Sequence, residues 1–159
     1  MDYCNSLLFN ISKQQISRIQ RMMNRTARVV LNTNFPYHHQ HTQHSSTNLL
    51  RLHWLPIPYR ILFKLAVITY KVRSTSSPSY LHNLVKEKTA NCTKRLRSMS
   101  APMLVQPHTK NNISQRAFRN ASPFVWNSLP TSVRNSLSLG TFKSRLKTFY
   151  FQEAFHDLL

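Results

Sequence analysis

Acidic residues are nearly missing from this 159-residue chain. Asp2, Glu87, Glu153 and Asp157 are the four, against 22 lysines and arginines, for a formal net charge of +18. No carboxylate stands between Asp2 and Glu87, and none between Glu87 and Glu153. Two-metal phosphoryl transfer, glycosidase acid–base pairs and calcium loops all require clustered carboxylates, which argues against a self-contained polymerase, nuclease or glycosidase. Glycine is scarcer still. With Gly140 alone, the chain cannot build phosphate-cradling loops of the Walker or dinucleotide kind, which need several close glycines. Two cysteines, Cys4 and Cys92, are too few and too separate for a disulfide framework or a CxxC zinc knuckle, so an intracellular, reducing compartment is expected, nucleus and cytoplasm not being distinguished. Long apolar runs are lacking as well. The longest, Ile61 to Tyr70, is interrupted by Lys64 and is too short to span a bilayer, so no membrane insertion is expected.

What is present points to a polyanionic partner. Charged residues make up 16% of the chain, below the roughly 25% usual in soluble domains, so the imbalance comes from missing acids and not from surplus bases. Such a charge resists compaction until something neutralises it, and RNA or DNA is the commonest neutraliser. A hydrophobic content of 41% with nine phenylalanines opposes a wholly disordered basic tail. The expected fold class is mainly α: loosely packed helices joined by long basic or polar loops, with one short β piece near 97–105. Three segments follow, a helical one over 1–73, a basic linker over 74–112 and a C-terminal helical one over 113–159.

The spacing predicts a first helix over about Lys13 to Leu31, with Ser12 as N-cap. Ile16, Ile19, Met23, Ala27 and Val30 recur at three and four residues as one apolar stripe. Arg18, Arg21, Arg25 and Arg28 recur at the same intervals on about the opposite side, with no acid in the helix to pair with them. They are the leading candidates to track a phosphate backbone. Asn32 to Asn48 reads as a polar loop; its His38, His39, His41 and His44 have no Cys or acid nearby to complete a metal site.

Leu49 to Leu55 is an apolar cluster closed by Pro56. Pro58 falls in the first turn of the next predicted helix, which carries Ile61, Leu65, Ile68 and Val72 on one face and Arg60, Lys64 and Lys71 on another. A short helix is predicted over Ser79 to Val85. Lys86 to Asn112 is basic and irregular, with Lys94, Arg95 and Arg97 in the pattern of a nucleic-acid-contacting loop. Helical spacing resumes from Ile113 to Ser128 through Ala117, Phe118, Ala121, Phe124 and Val125. Ser138 reads as the N-cap of a last helix with Phe142, Leu146 and Phe149 on its apolar side and Lys143, Arg145 and Lys147 around the rest. Trp54 and Trp126, set among Leu, Phe and Pro, read as core anchors before base-stacking platforms, and His53 as a packing histidine.

One ordered string of motifs resembles a known family. It comprises Asp2-Tyr3-Cys4-Asn5-Ser6-Leu7-Leu8, Leu52-His53-Trp54-Leu55-Pro56-Ile57, Arg60-Ile61-Leu62-Phe63-Lys64 and Ser77-Pro78-Ser79-Tyr80-Leu81. Arg116-Ala117-Phe118, Trp126-Asn127-Ser128-Leu129-Pro130 and Phe142-Lys143-Ser144-Arg145-Leu146-Lys147 complete it. The string is similar to the C-terminal segment of LINE-type, non-LTR (jockey-like) retrotransposon reverse transcriptases, downstream of the catalytic core. The resemblance implies a helical thumb and trailing region, in residues 1–73 and beyond, that grips template and primer. It supplies no catalytic residue, because the family's paired-aspartate motif has no counterpart here, and it implies a truncated copy. The expected activity is therefore non-catalytic, electrostatic binding of an RNA or DNA backbone through Arg18, Arg21, Arg25, Arg28, Arg60, Lys64, Lys94, Arg95, Arg97, Lys143, Arg145 and Lys147. No cofactor or metal is expected, and the parent element's polymerase core is a further expected partner. The alternatives are a decayed structural fragment without independent function and, less favoured because the bases are spread through the chain, a membrane-surface module.

Overall fold

A computed structural model describes residues 4–32, 45–88 and 103–158 of the chain. Ser12 caps the first long helix, α1 (Lys13–Val30), its Oγ accepting the Gln15 N–H at 3.4 Å. Met23 and Ala27 are buried and Ile16 and Ile19 pack half-buried against the core. Val30, expected in the same stripe, is exposed together with Val29, because the last turn reaches beyond the surface that α1 packs on.

Helix α2 (Ser45–Arg51) begins inside the stretch read as a polar loop up to Asn48. Burial of Asn48 and Leu49 draws the preceding Ser and Thr residues into helix, and a first turn asks for no apolar side chain of its own. His53, in the left-handed region with φ +54°, stops it. The Trp54 N–H donates to Leu49 O at 2.9 Å and the His53 N–H to Leu50 O at 3.0 Å, the paired bonds of a Schellman turn.

The central helix is α3 (Ile57–Thr75), with Pro58 in its first turn, where no N–H is needed. Gln20 of α1 caps it from outside, its Oε1 accepting the Ile57 N–H at 2.8 Å. Ile57, Ile61, Leu65, Ala66, Val67, Thr69 and Val72 are buried. The short α4 (Ser79–His82) stops before the predicted Val85. Leu104 forms an isolated antiparallel bridge with Glu87. The rest of the β piece expected near 97–105 lies partly outside the described residues, which contain no strand.

One continuous helix was expected over Ile113 to Ser128; two are found, α5 (Asn112–Gln115) and α6 (Phe118–Ser128). The Asn120 side chain donates to Ser114 O at 2.6 Å, taking a carbonyl that a continuous helix would use, and Ala117 turns extended to start α6. Phe124 is exposed rather than inward, touching Phe9 with ring centroids 6.0 Å apart. Helix α7 (Thr131–Arg134) has no counterpart in the sequence reading. Ser138 caps α8 (Leu139–Ala154), accepting the Thr141 N–H at 3.1 Å, and Phe142, Leu146 and Tyr150 form its buried face with Phe149 at the edge.

Helices α6 and α8 both pack on α3, so the helical segments on either side of the basic linker meet in one core. Trp126 stacks on Phe142 (5.8 Å, 22°), and Tyr70 stacks on Phe142 as well (4.4 Å, 23°). Between α3 and α6 a buried hydroxyl pair, Thr69 and Ser122, lies at 2.8 Å. The fold is mainly α, as expected.

Candidate nucleic-acid interface

Arg18, Arg21, Arg25 and Arg28 are all exposed, on the side of α1 away from buried Met23 and Ala27. Arg18 to Arg28 spans about 15 Å of helix axis, roughly four phosphates of one strand at about 3.4 Å each. The Arg21 Nε donates to Ser17 O at 3.4 Å, which steadies that side chain along the helix.

A second basic group forms where the sequence gives no hint of convergence. Arg60 and Lys64 of α3 and Lys147 of α8 line one cleft of about 400 Å³, together with Asn5, His53, Trp54, Leu55 and Phe63. Trp54, carried there by the Schellman turn, is half-buried and packs against the core, while Trp126 is fully buried, as expected of core anchors. The Arg60 Nε donates to Leu55 O at 2.8 Å and its guanidinium lies over the Trp54 ring, 5.9 Å from the centroid, so Arg60 is held in place as part of the cleft wall. Asn5 Nδ2 donates to Arg60 O at 3.5 Å. His53 is exposed and stacks on Phe151 (5.7 Å, 19°), a packing role for its ring.

The other expected contacts do not join this cleft's lining. Lys143 is exposed on α8, and Arg145 donates through Nη1 to Ser132 O at 2.8 Å, bracing α8 against α7. Lys94, Arg95 and Arg97 lie outside the described residues, as do His38, His39, His41 and His44. Arg73, not singled out from the sequence, donates through Nε to Glu87 Oε1 at 3.2 Å and covers Trp126 at 4.5 Å. Arg134 also went unnoticed: its Nε and Nη1 are buried without a partner, and burial, helped by nearby Arg73, lowers its pKa. Only tertiary packing marks these two apart from the other arginines.

Among the described residues no group of three or more His, Cys, Asp or Glu could hold a metal ion, and no helix is long and apolar enough to cross a membrane. No family model matches the chain, and no match is found among curated proteins or solved structures.

Proposed function

We propose that this chain is a non-catalytic, helical nucleic-acid-binding segment, similar to the post-catalytic region of a LINE-type retrotransposon reverse transcriptase. The observation that carries the binding is the exposed row of four arginines on α1, set in a helix that contains no acid. Guanidinium groups contact phosphate oxygens and release condensed counterions, with little reading of base sequence. The family reading rests on the ordered motif string alone. A polymerase core of the same element is the second proposed partner.

The test is fluorescence anisotropy of labelled RNA and DNA, single-stranded and duplex, titrated with the purified chain across about 50–200 mM salt. With 6–10 phosphates engaged, affinity falls roughly a thousandfold or more over that range. Absence of binding at low salt overturns the proposal, and a flat salt response overturns its electrostatic mechanism.

A further inference from the structure

The cleft between α3 and α8 joins cations to an aromatic face. On α1 the four arginines lie exposed along one helix. In the cleft, Lys64 and Lys147 come from two helices that pack on each other, Arg60 is fixed over Trp54, and the indole shares the lining. A duplex offers such a site only phosphates, because its bases are stacked inside. A single strand offers phosphate and an unstacked base together, and sequence-tolerant binders of single strands use this pairing of backbone cations with aromatic platforms.

We propose that this cleft is a nucleotide subsite for single-stranded nucleic acid: Lys64 and Lys147 hold the phosphates and Trp54 stacks the base. The inference rests on the nucleic-acid reading above and adds to it the form of the strand and the residue that meets the base. Its geometry has one support and one constraint. The Schellman turn at His53 sets the position of the Trp54 backbone, and the Arg60 Nε bond to Leu55 O fixes the guanidinium over one face of the ring, so the base stacks on the other. The cleft volume of about 400 Å³ lies within the range of about 300–1,000 Å³ typical of small-ligand sites.

Tryptophan emission tests this directly, because the chain has two tryptophans and Trp126 is only 1% exposed. The full chain is titrated with an oligothymidylate, an abasic oligomer of the same length, and a blunt duplex, while anisotropy of labelled copies reports binding separately. The expected result is quenching by the oligothymidylate and none by the other two at matched saturation. W54F abolishes the quench while keeping a ring, and W54A weakens oligothymidylate binding roughly tenfold, within the range for loss of one stacked base. K64Q/K147Q, which changes half-buried Lys64 and exposed Lys147, lowers the single-strand salt slope by about 1.4, two phosphates at about 0.7 each. It also serves as the deciding variant if circular dichroism shows W54F or W54A unfolded. Binding without quench, quench retained in W54F, or an unchanged salt slope in the lysine variant overturns the subsite and leaves backbone binding standing. No anisotropy change with any of the three probes overturns both.

Discussion

Asn127 holds Leu104 by both backbone groups: its Nδ2 donates to the Leu104 carbonyl and its Oδ1 accepts the Leu104 N–H, each at 2.9 Å. A carboxamide here does what a neighbouring strand would do, and it ties Leu104 to helix α6. Leu104 is fully buried, so neither backbone group has water to fall back on.

Replacing Asn127 by Asp keeps the size and one acceptor but removes the donor. N127D should therefore lower stability by about 1–3 kcal/mol, the cost of an orphaned buried carbonyl beside a carboxylate. Thermal denaturation checks the size of the loss. Hydrogen exchange at Val105, whose N–H donates to Lys86 O at 2.8 Å, should quicken in the same variant.

Changing Arg18, Arg21, Arg25 and Arg28 together to Gln removes four charges while keeping side-chain length and helix propensity. Since all four are exposed, helicity should stay near the parent value. Affinity should drop to a similar degree for different sequences, and the salt slope should shrink by up to about four units. Met23→Asp is the control, placing a charge on a side chain only 1% exposed, and should unfold the segment. A quadruple variant that binds like the parent would show that the row is merely solvated.

Tyr150 gives a pH prediction with a definite sign. Burial, and secondarily Glu153, pushes its phenol above the usual tyrosine range. The folded state thus holds its proton where the unfolded chain releases it. This contribution to stability is intact below about pH 10 and is lost as pH climbs from there toward the folded value. Y150F should flatten that alkaline decline. It should cost little near neutrality, because the hydroxyl it deletes is buried with no hydrogen-bond partner. Urea midpoints measured from pH 7 to 11 check both statements.

On a primed template with magnesium or manganese, the purified chain should incorporate no nucleotide. Glu87, one of four carboxylates in the chain, is engaged with Arg73, whereas metal-assisted phosphoryl transfer needs several carboxylates converging on one site. Template-dependent extension that copurifies with the chain through successive columns would defeat this expectation.

Helix starts marked by a hydroxyl were legible in the sequence: Ser12 and Ser138 cap the helices they were expected to cap, because capping is a bond within four residues. The inward faces of α3 and α8 were legible for a similar reason, periodicity being local. The break at Arg116–Ala117 was not, since it turns on Asn120 reaching Ser114 rather than on any proline or glycine. Nor was the outward turn of Val30 and Phe124, which depends on where neighbouring helices end. For the candidate interface, the arginine row could be read from spacing alone, but the meeting of Arg60 and Lys64 with Lys147 could not. Those residues lie more than 80 positions apart, and only the docking of α8 on α3 brings them to one cleft.

Left-handed backbone occurs at Cys4, Asn10, Asn32, His53 and Ser76, and none of these is glycine. Side chains with a Cβ adopt that conformation at a cost of roughly 1–2 kcal/mol each, less for asparagine. At His53 the offset has two sources: the Schellman bonds to Leu49 and Leu50 close the turn locally, and the His53 ring stacks on Phe151 of α8. Loosening α8 therefore weakens the bend between α2 and α3 without abolishing it.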